Sequence, residues 1–220
     1  MYASKGEWVD FMAGDDMFYE NRIHECIKTV LGNSSIEILF SNVAINGQLT
    51  AKPPNMEAFY LMDPKKQYLE LLKGNFLPSP GAFINRETII KLNGFNEKYA
   101  LLEDYPFFLK ALKSNIKIYK INKQLVYYRI NQDNISRQKT MNTNYQMNVK
   151  LYFKNEFLKE LWHNRLYIFF VHFLTEYVLL KLVSMNIIKY RMTYDFLLQW
   201  LSILYWRNRI KKIFLTPNEQ

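Results

Sequence analysis

Asp15 and Asp16 stand side by side behind Gly14. Adjacent carboxylates in a turn at the end of a strand form a compact hard-oxygen site, where a divalent cation can sit together with phosphate oxygens. The same pair also suits the commoner duty of capping the helix that follows. A second acidic pair, Glu103 and Asp104, falls in a loop just before an amphipathic helix. There like charges and a helix N-terminus can tune a carboxylate for general-base work. Neither pair decides its use alone. Other reactive groups are sparse: one cysteine, Cys26, allows no internal disulfide, and His24, His163 and His172 are scattered without zinc spacing. Cys26 lies on an apolar helical stripe and reads as a small core residue.

The elements that must position these carboxylates alternate in type as far as about residue 140. Gly6 to Met12 reads as a strand stopped by Gly14-Asp15-Asp16, and Tyr19 to Leu31 has helical spacing through Ile23, Cys26, Ile27 and Val30. Ile36 to Ile45 is an apolar, β-branched strand ending at the tight-turn pair Asn46-Gly47. A polar loop is expected through Pro53-Pro54, then a helix over Lys65 to Lys73 and an irregular stretch from Gly74 to Asn85. Arg86 to Leu92 reads as a helix closed by Asn93-Gly94, Tyr105 to Lys113 as another, and Ile116 to Ile121 with Leu125 to Ile130 as paired strands. From Tyr145 the pattern turns wholly helical and aromatic: Gln146 to Leu161, Arg165 to Met185 and Tyr194 to Ile213. The shift predicts an α/β domain over 1–140 and a helical, aromatic and basic region over 141–220.

Composition sets outer limits. The 220 residues are 49% apolar and 16% aromatic, with only seven glycines and seven prolines, which excludes linker-like and collagen-like classes. The net charge of +9 is uneven, because residues 1–64 carry a net negative charge and the remainder is basic. A nucleic acid, a phosphorylated small molecule or an anionic membrane surface would each suit that field. No groove-reading or base-stacking motif is present, so a nucleic-acid partner is not expected. The first residues lack the apolar stretch of a signal peptide, and a cytoplasmic location is expected.

Taken in order, Lys5-Gly-Glu-Trp-Val-Asp-Phe-Met-Ala-Gly-Asp-Asp16, Gly81-Ala-Phe-Ile-Asn-Arg-Glu, Leu92-Asn-Gly-Phe-Asn-Glu97, Glu103-Asp104, Leu125-Val-Tyr-Tyr-Arg129 and Asn134-Ile-Ser136 resemble the family-2 glycosyltransferases. The resemblance spans residues 1 to about 138. It implies a partial GT-A (Rossmann-like) glycosyltransferase domain of the α/β class with a mostly parallel sheet, followed by the C-terminal helical segment. It implies a nucleotide-sugar donor, a divalent cation (manganese or magnesium) and transfer with inversion to a saccharide or lipid-linked saccharide acceptor in surface polysaccharide biosynthesis. Residue by residue, Asp15 matches the metal-binding Asp of the acidic turn, and Asp16 would support it or face the donor ribose. Asp104 would take the acceptor proton, with Glu103 the lesser choice. Pro80, Gly81, Ala82 and Phe83 match a segment lining the sugar and acceptor side, and Arg129 a position near the phosphates.

Three departures stand out. Ala13 occupies the place where the family often has the first Asp of its turn, and Asn131 the place where many members carry a His. The family's first strands and the turn that grips the nucleotide base have no counterpart before Met1, so residues 1–220 alone are expected to turn over little nucleotide sugar. A non-catalytic glycosyltransferase remnant that binds a partner or a membrane is the alternative reading. Phe196 to Trp206 followed by Arg207 to Lys212 combines an apolar aromatic face with a cationic end, which suits peripheral attachment to an anionic membrane at the inner face of the cell membrane. Packing of these aromatics on one another suits the same residues. The longest uncharged runs, Leu166 to Thr175 and Phe196 to Trp206, fall short of the roughly 20 residues a spanning helix needs, so none is predicted.

Overall fold

The computed structural model describes residues 4–12, 14, 16–45, 48–49, 56–99, 101–129, 143–204 and 206. The chain divides into two compact units, one of Met1–Asn96 with Glu103–Asn131 and the other of Glu97–Leu102 with Gln132–Gln220.

The first unit is built on a six-stranded sheet. Its strands are β1 (Trp8–Asp10), β2 (Met17–Phe18), β3 (Ile38–Ile45), β4 (Gln48–Leu49), β5 (Ala82–Asn85) and β6 (Ile118–Tyr128), ordered β1-β5-β3-β6-β2, with β4 paired to β3. β3 lies inside the sheet because Ile-Leu-Phe-Ser-Asn-Val-Ala-Ile offers apolar side chains to both faces. Leu39 points to the cluster of Cys26, Val30, Ile36, Phe83 and Leu125, which α1 (Arg22–Gly32) covers. Its neighbour Phe40 points the other way and packs edge-on against Phe108, 5.1 Å between ring centres, on the helix Asp104–Lys113.

The sheet is mixed. Among the described residues only β3 and β6 run parallel, and the β1–β5, β3–β5, β3–β4 and β2–β6 pairs are antiparallel. The mostly parallel sheet implied by the resemblance is corrected accordingly. The two strands expected over Ile116–Ile130 are also one element. β6 follows β3 through two register slips, Ser41 facing Ile121, Asn42 facing Gln124 and Val43 facing Val126. The surplus residues are Asn122 and Lys123 at the first slip, where the Asn42 amide donates to Asn122 Oδ1 at 2.9 Å, and Leu125 at the second. A polar pair that resembles a turn in sequence is thus absorbed as a bulge.

Two further elements sit where loops were expected. β5 fills the end of the stretch that reads as irregular, since three buried residues between Pro80-Gly81 and Asn85 are too few to show a period. A six-residue helix, α2 (Met56–Leu61), buries Phe59 and Tyr60. Next come α3 (Pro64–Leu71), with Asp63 capping the Lys66 amide, α4 (Arg86–Lys91), capped by Asn85, and α5 (Asp104–Lys113). Gln67 on α3 is fully buried and clasps the start of β6: its amide donates to Ile118 O (2.8 Å) and Phe59 O (3.0 Å) and accepts from Ile118 N (3.0 Å).

The second unit is helical, with α6 (Thr143–Tyr152), α7 (Leu158–His163), α8 (Tyr167–Ser184) and α9 (Arg191–Leu201). A π-turn over Phe153–Phe157 joins α6 to α7. Its core is aromatic: Phe153, Phe157 and Phe173 pack ring against ring, and Tyr99 sits 5.1 Å from Tyr152 while its hydroxyl donates to Glu156 at 2.6 Å. α8 is long and apolar enough to cross a membrane by length and composition, with mean hydropathy 1.4 and only 17% of its span buried. The expectation of no such helix rested on uncharged run length, which Glu176 and Lys181 interrupt, whereas mean hydropathy tolerates both.

Candidate functional site

The parallel pair β3 and β6 organises the site. The carboxyl ends of the two strands finish level, Ala44 beside Tyr127 and Ile45 beside Tyr128. Asp16 is brought to that edge because β2 pairs with Tyr127 and Val126 of β6. It is 5% exposed, and the Arg129 amide donates to its Oδ1 at 3.1 Å. Asp16 is no helix cap: α1 begins only at Arg22, behind Asn21, with β2 intervening. Arg129 holds Asp16 through its backbone, while its side chain is exposed. Asp15, Ala13 and Asn131 lie outside the described residues, as do the Asn134-Ile135-Ser136 motif and the cationic run Arg207–Lys212.

The second carboxylate is placed by a tight turn. Ser79–Gly81 forms one turn of 3-10 helix that enters β5, closed by the Gly81 amide on Pro78 O at 2.8 Å. The turn lies against both β3 and β6. A Cβ on Gly81 would stand 2.7 Å from Ser41 O and 3.3 Å from a Val43 methyl, so this close approach to β3 needs a residue without a side chain. Asp104 opens α5, and its carboxylate accepts from two sides: Ser79 Oγ donates to Oδ2 and the Tyr105 amide to Oδ1 at 2.7 Å. Glu103 precedes it, exposed, with no side-chain capping bond. Of the remaining residues singled out from sequence, Pro80 is half-buried, Ala82 is in the core, and Phe83 is 3% exposed and stacked on Trp8 at 5.1 Å.

Four residues of this region were not foreseen. Ser79 touches Asp104, and Arg22, Asp10 and Ser41 form a buried network beneath the turn. Arg22 Nε and Nη2 each reach a different oxygen of Asp10 at 2.6 Å, Nη1 donates to Ser41 Oγ at 2.8 Å, and Nη2 also reaches Ala82 O at 3.2 Å. Burial raises the Asp10 carboxyl above its ordinary range, against the lowering influence of Arg22. The signal was present in the sequence: Arg22 falls on the same helical stripe as Cys26 and Val30, and an arginine on a buried stripe implies a partner.

The site's chemistry suits a hard cation shared with phosphates. Asp16 offers a buried carboxylate at the end of the strand pair, and magnesium or manganese bound with a nucleotide takes one or two protein carboxylates plus phosphate oxygens. Among the described residues no three His, Cys, Asp or Glu side chains are grouped to hold a metal by themselves. The histidines stand elsewhere: His24 and His163 are exposed, and His172 Nδ1 lies 2.7 Å from Ser202 Oγ in the helical unit.

No protein-family model matches the chain. Curated relatives do. The chain is 26% identical over 185 residues to an uncharacterized glycosyltransferase of Methanocaldococcus jannaschii, covering 82% of this chain and 61% of that protein. It is 28% identical over 130 residues to an uncharacterized glycosyltransferase of Haemophilus influenzae, covering 56% of this chain and 42% of the other. The chain therefore spans about two fifths to three fifths of the length of these relatives. Among solved structures, S. aureus TarS aligns over 82% of this chain and 29% of its own, with TM-score 0.49 and 15% identity. TarS 1-349 aligns over 83% and 49%, with TM-score 0.48 and 16% identity.

Proposed function

We propose that this chain is the donor- and acceptor-handling part of an inverting glycosyltransferase of the family-2, GT-A type. It would move a sugar from a nucleotide-sugar donor to a saccharide or lipid-linked saccharide in surface polysaccharide assembly. The observation that carries the reading is the placement of two carboxylates, Asp16 and the Ser79-held Asp104, on segments gathered at β3 and β6. Sequence relationship to proteins named as glycosyltransferases supports it.

In this reading the acceptor hydroxyl oxygen bonds to the anomeric carbon from the face opposite the leaving group. The bond from that carbon to the diphosphate oxygen breaks, its electron pair leaves with the nucleoside diphosphate, and the hydroxyl proton passes to Asp104. The bonds from Ser79 and Tyr105 fix the carboxylate's orientation, while its further lone pairs stay available to the acceptor. Such a positioned base contributes about 10²- to 10⁴-fold. A manganese or magnesium ion held by Asp15 and Asp16 would neutralise charge growing on the diphosphate. Arg129, exposed at the end of β6, is suited to the same phosphates. Glu103 has no role in this scheme.

Calorimetry with manganese plus UDP or GDP tests the reading. Binding by the intact chain, abolished in Asp15→Asn and Asp16→Asn and kept in Asp104→Asn, is the expected pattern. Binding of neither diphosphate, or binding indifferent to both turn substitutions, overturns it.

We also propose peripheral contact with the inner face of an anionic membrane. Tyr167, Ile168, Val171, Leu174 and Val178 form an exposed apolar stripe along α8, and Phe196 and Trp200 are exposed on α9. Flotation with phosphatidylglycerol vesicles is expected to carry the chain upward. Equal partitioning after Val171→Glu and Leu174→Glu removes the proposal.

A further inference from the structure

Arg22 is wholly buried yet none of its contacts is with a described carboxylate of the proposed chemistry. Its fork closes on Asp10, and Asp10 and Arg22 are the two ends of the segment that carries Gly14, Asp15 and Asp16. The pair thus closes the loop on which Gly14 and Asp16 stand. The donors left over tie the base of that loop to β3 through Ser41 and to the Ser79–Ala82 turn through the Ala82 carbonyl. The Phe18 ring of β2, two residues beyond Asp16, lies 4.3 Å from the guanidinium carbon. One side chain therefore touches β1, β2, β3 and the entrance to β5. A lysine has neither the planar fork for Asp10 nor enough donors in fixed directions to serve Ser41 and Ala82 as well.

We propose that Arg22, oriented by Asp10, is a positioning residue. It sets the acidic loop and the Ser79–Ala82 turn, and through Ser79 the Asp104 carboxylate, at a fixed separation, so that a diphosphate and an acceptor hydroxyl can be served across one cleft. This rests on the function proposed above, but the geometric part is measurable without it. A merely structural ion pair can be replaced by apolar side chains of similar volume with little loss of stability. A positioning pair replaced in the same way keeps that stability but loses the local geometry, because apolar side chains make no bond to Ala82 O or Ser41 Oγ.

The test compares wild type with the Asp10→Leu/Arg22→Met double variant by thermal melting, by amide hydrogen exchange, and by calorimetry with manganese and UDP or GDP. The expected result is a melting temperature near wild type, exchange accelerated at least tenfold in peptides covering 11–18 and 79–83 but not in α3 or α5, and diphosphate affinity lowered at least tenfold. Exchange unchanged in those two segments overturns the proposal, whatever the binding result. If wild type binds neither diphosphate, the proposed function falls while the exchange comparison still decides the positioning role. Should the double variant not fold, Arg22→Lys is measured in the same way, with the same acceleration expected and unchanged exchange again overturning it.

Discussion

Replacing Gly81 by alanine isolates the packing that brings the Ser79–Gly81 turn onto β3. The new Cβ would start 2.7 Å from the Ser41 carbonyl oxygen, a backbone atom in an interior strand, and 3.3 Å from a Val43 methyl. Ordinary contact begins near 3.4 Å, so the turn or the strand must retreat by about 0.7 Å. Overpacking of this kind costs about 1–3 kcal/mol, and the lower freedom of alanine in the unfolded chain returns about 0.4–1 kcal/mol. The net expectation is a loss of about 1–2 kcal/mol. Trp8 is a suitable reporter because it stacks on Phe83, two residues from the substitution. Trp162, Trp200 and Trp206 are exposed and can be changed to phenylalanine to remove their signals. At a urea slope of about 2 kcal/mol per molar, the midpoint should fall by about 0.5–1 M. Gly32→Ala is the control, since nothing lies within 4 Å of its added Cβ, and it should match or exceed wild type. A Gly81→Ala midpoint equal to that of the control would refute the close-approach argument and, with it, the placement of Ser79 against Asp104.

Gln67→Leu keeps volume but leaves Ile118 N, Ile118 O and Phe59 O without their buried partner, and a loss of about 3 kcal/mol in urea unfolding is expected. Ser79→Ala should leave manganese-UDP or manganese-GDP affinity within twofold while lowering the small kcat expected of residues 1–220 about tenfold, because it frees one oxygen of Asp104 without touching Asp16. Equal losses in both quantities would show a general disruption instead. Glu176, half-buried on α8 and bonded by the Tyr194 hydroxyl at 3.3 Å, has its carboxyl pushed up by burial to about 7. The folded chain then holds this proton more tightly than the unfolded one, so the stabilisation is complete below about pH 4.5 and is lost as pH rises through about 7. The total is about 3 kcal/mol, and Glu176→Gln should flatten melting temperature against pH over that window. A wild-type curve already flat there would contradict the buried carboxyl.

The elements legible from the sequence were those whose own residues contain the reason for them. Cys26 and Val30 mark the buried side of α1 by spacing alone, β3 is recognisable from its β-branched run, and the change near residue 140 from alternating to purely helical pattern needs no tertiary information. The acidic pairs were visible in the sequence as candidates only, since neither pair decides its own use and β2 stands between Asp16 and the helix it could have capped. Partners distant in the chain were not. β5 is a strand because β1 and β3 take its two edges, and β6 is one strand because β3 runs beside all of it, so its polar bulge could pass for a turn. Ser79 is close to Asp104 because Gly81 lets a turn settle on Ser41, a contact between residues forty apart. Arg22 could be suspected from its stripe, but only the assembled sheet supplies Asp10, Ser41 and Ala82 at once. Local propensity and periodicity act within a few residues and are written in order along the chain. The register of strands and the closure of a buried charge depend on which distant segments meet, and that is decided when the whole core packs.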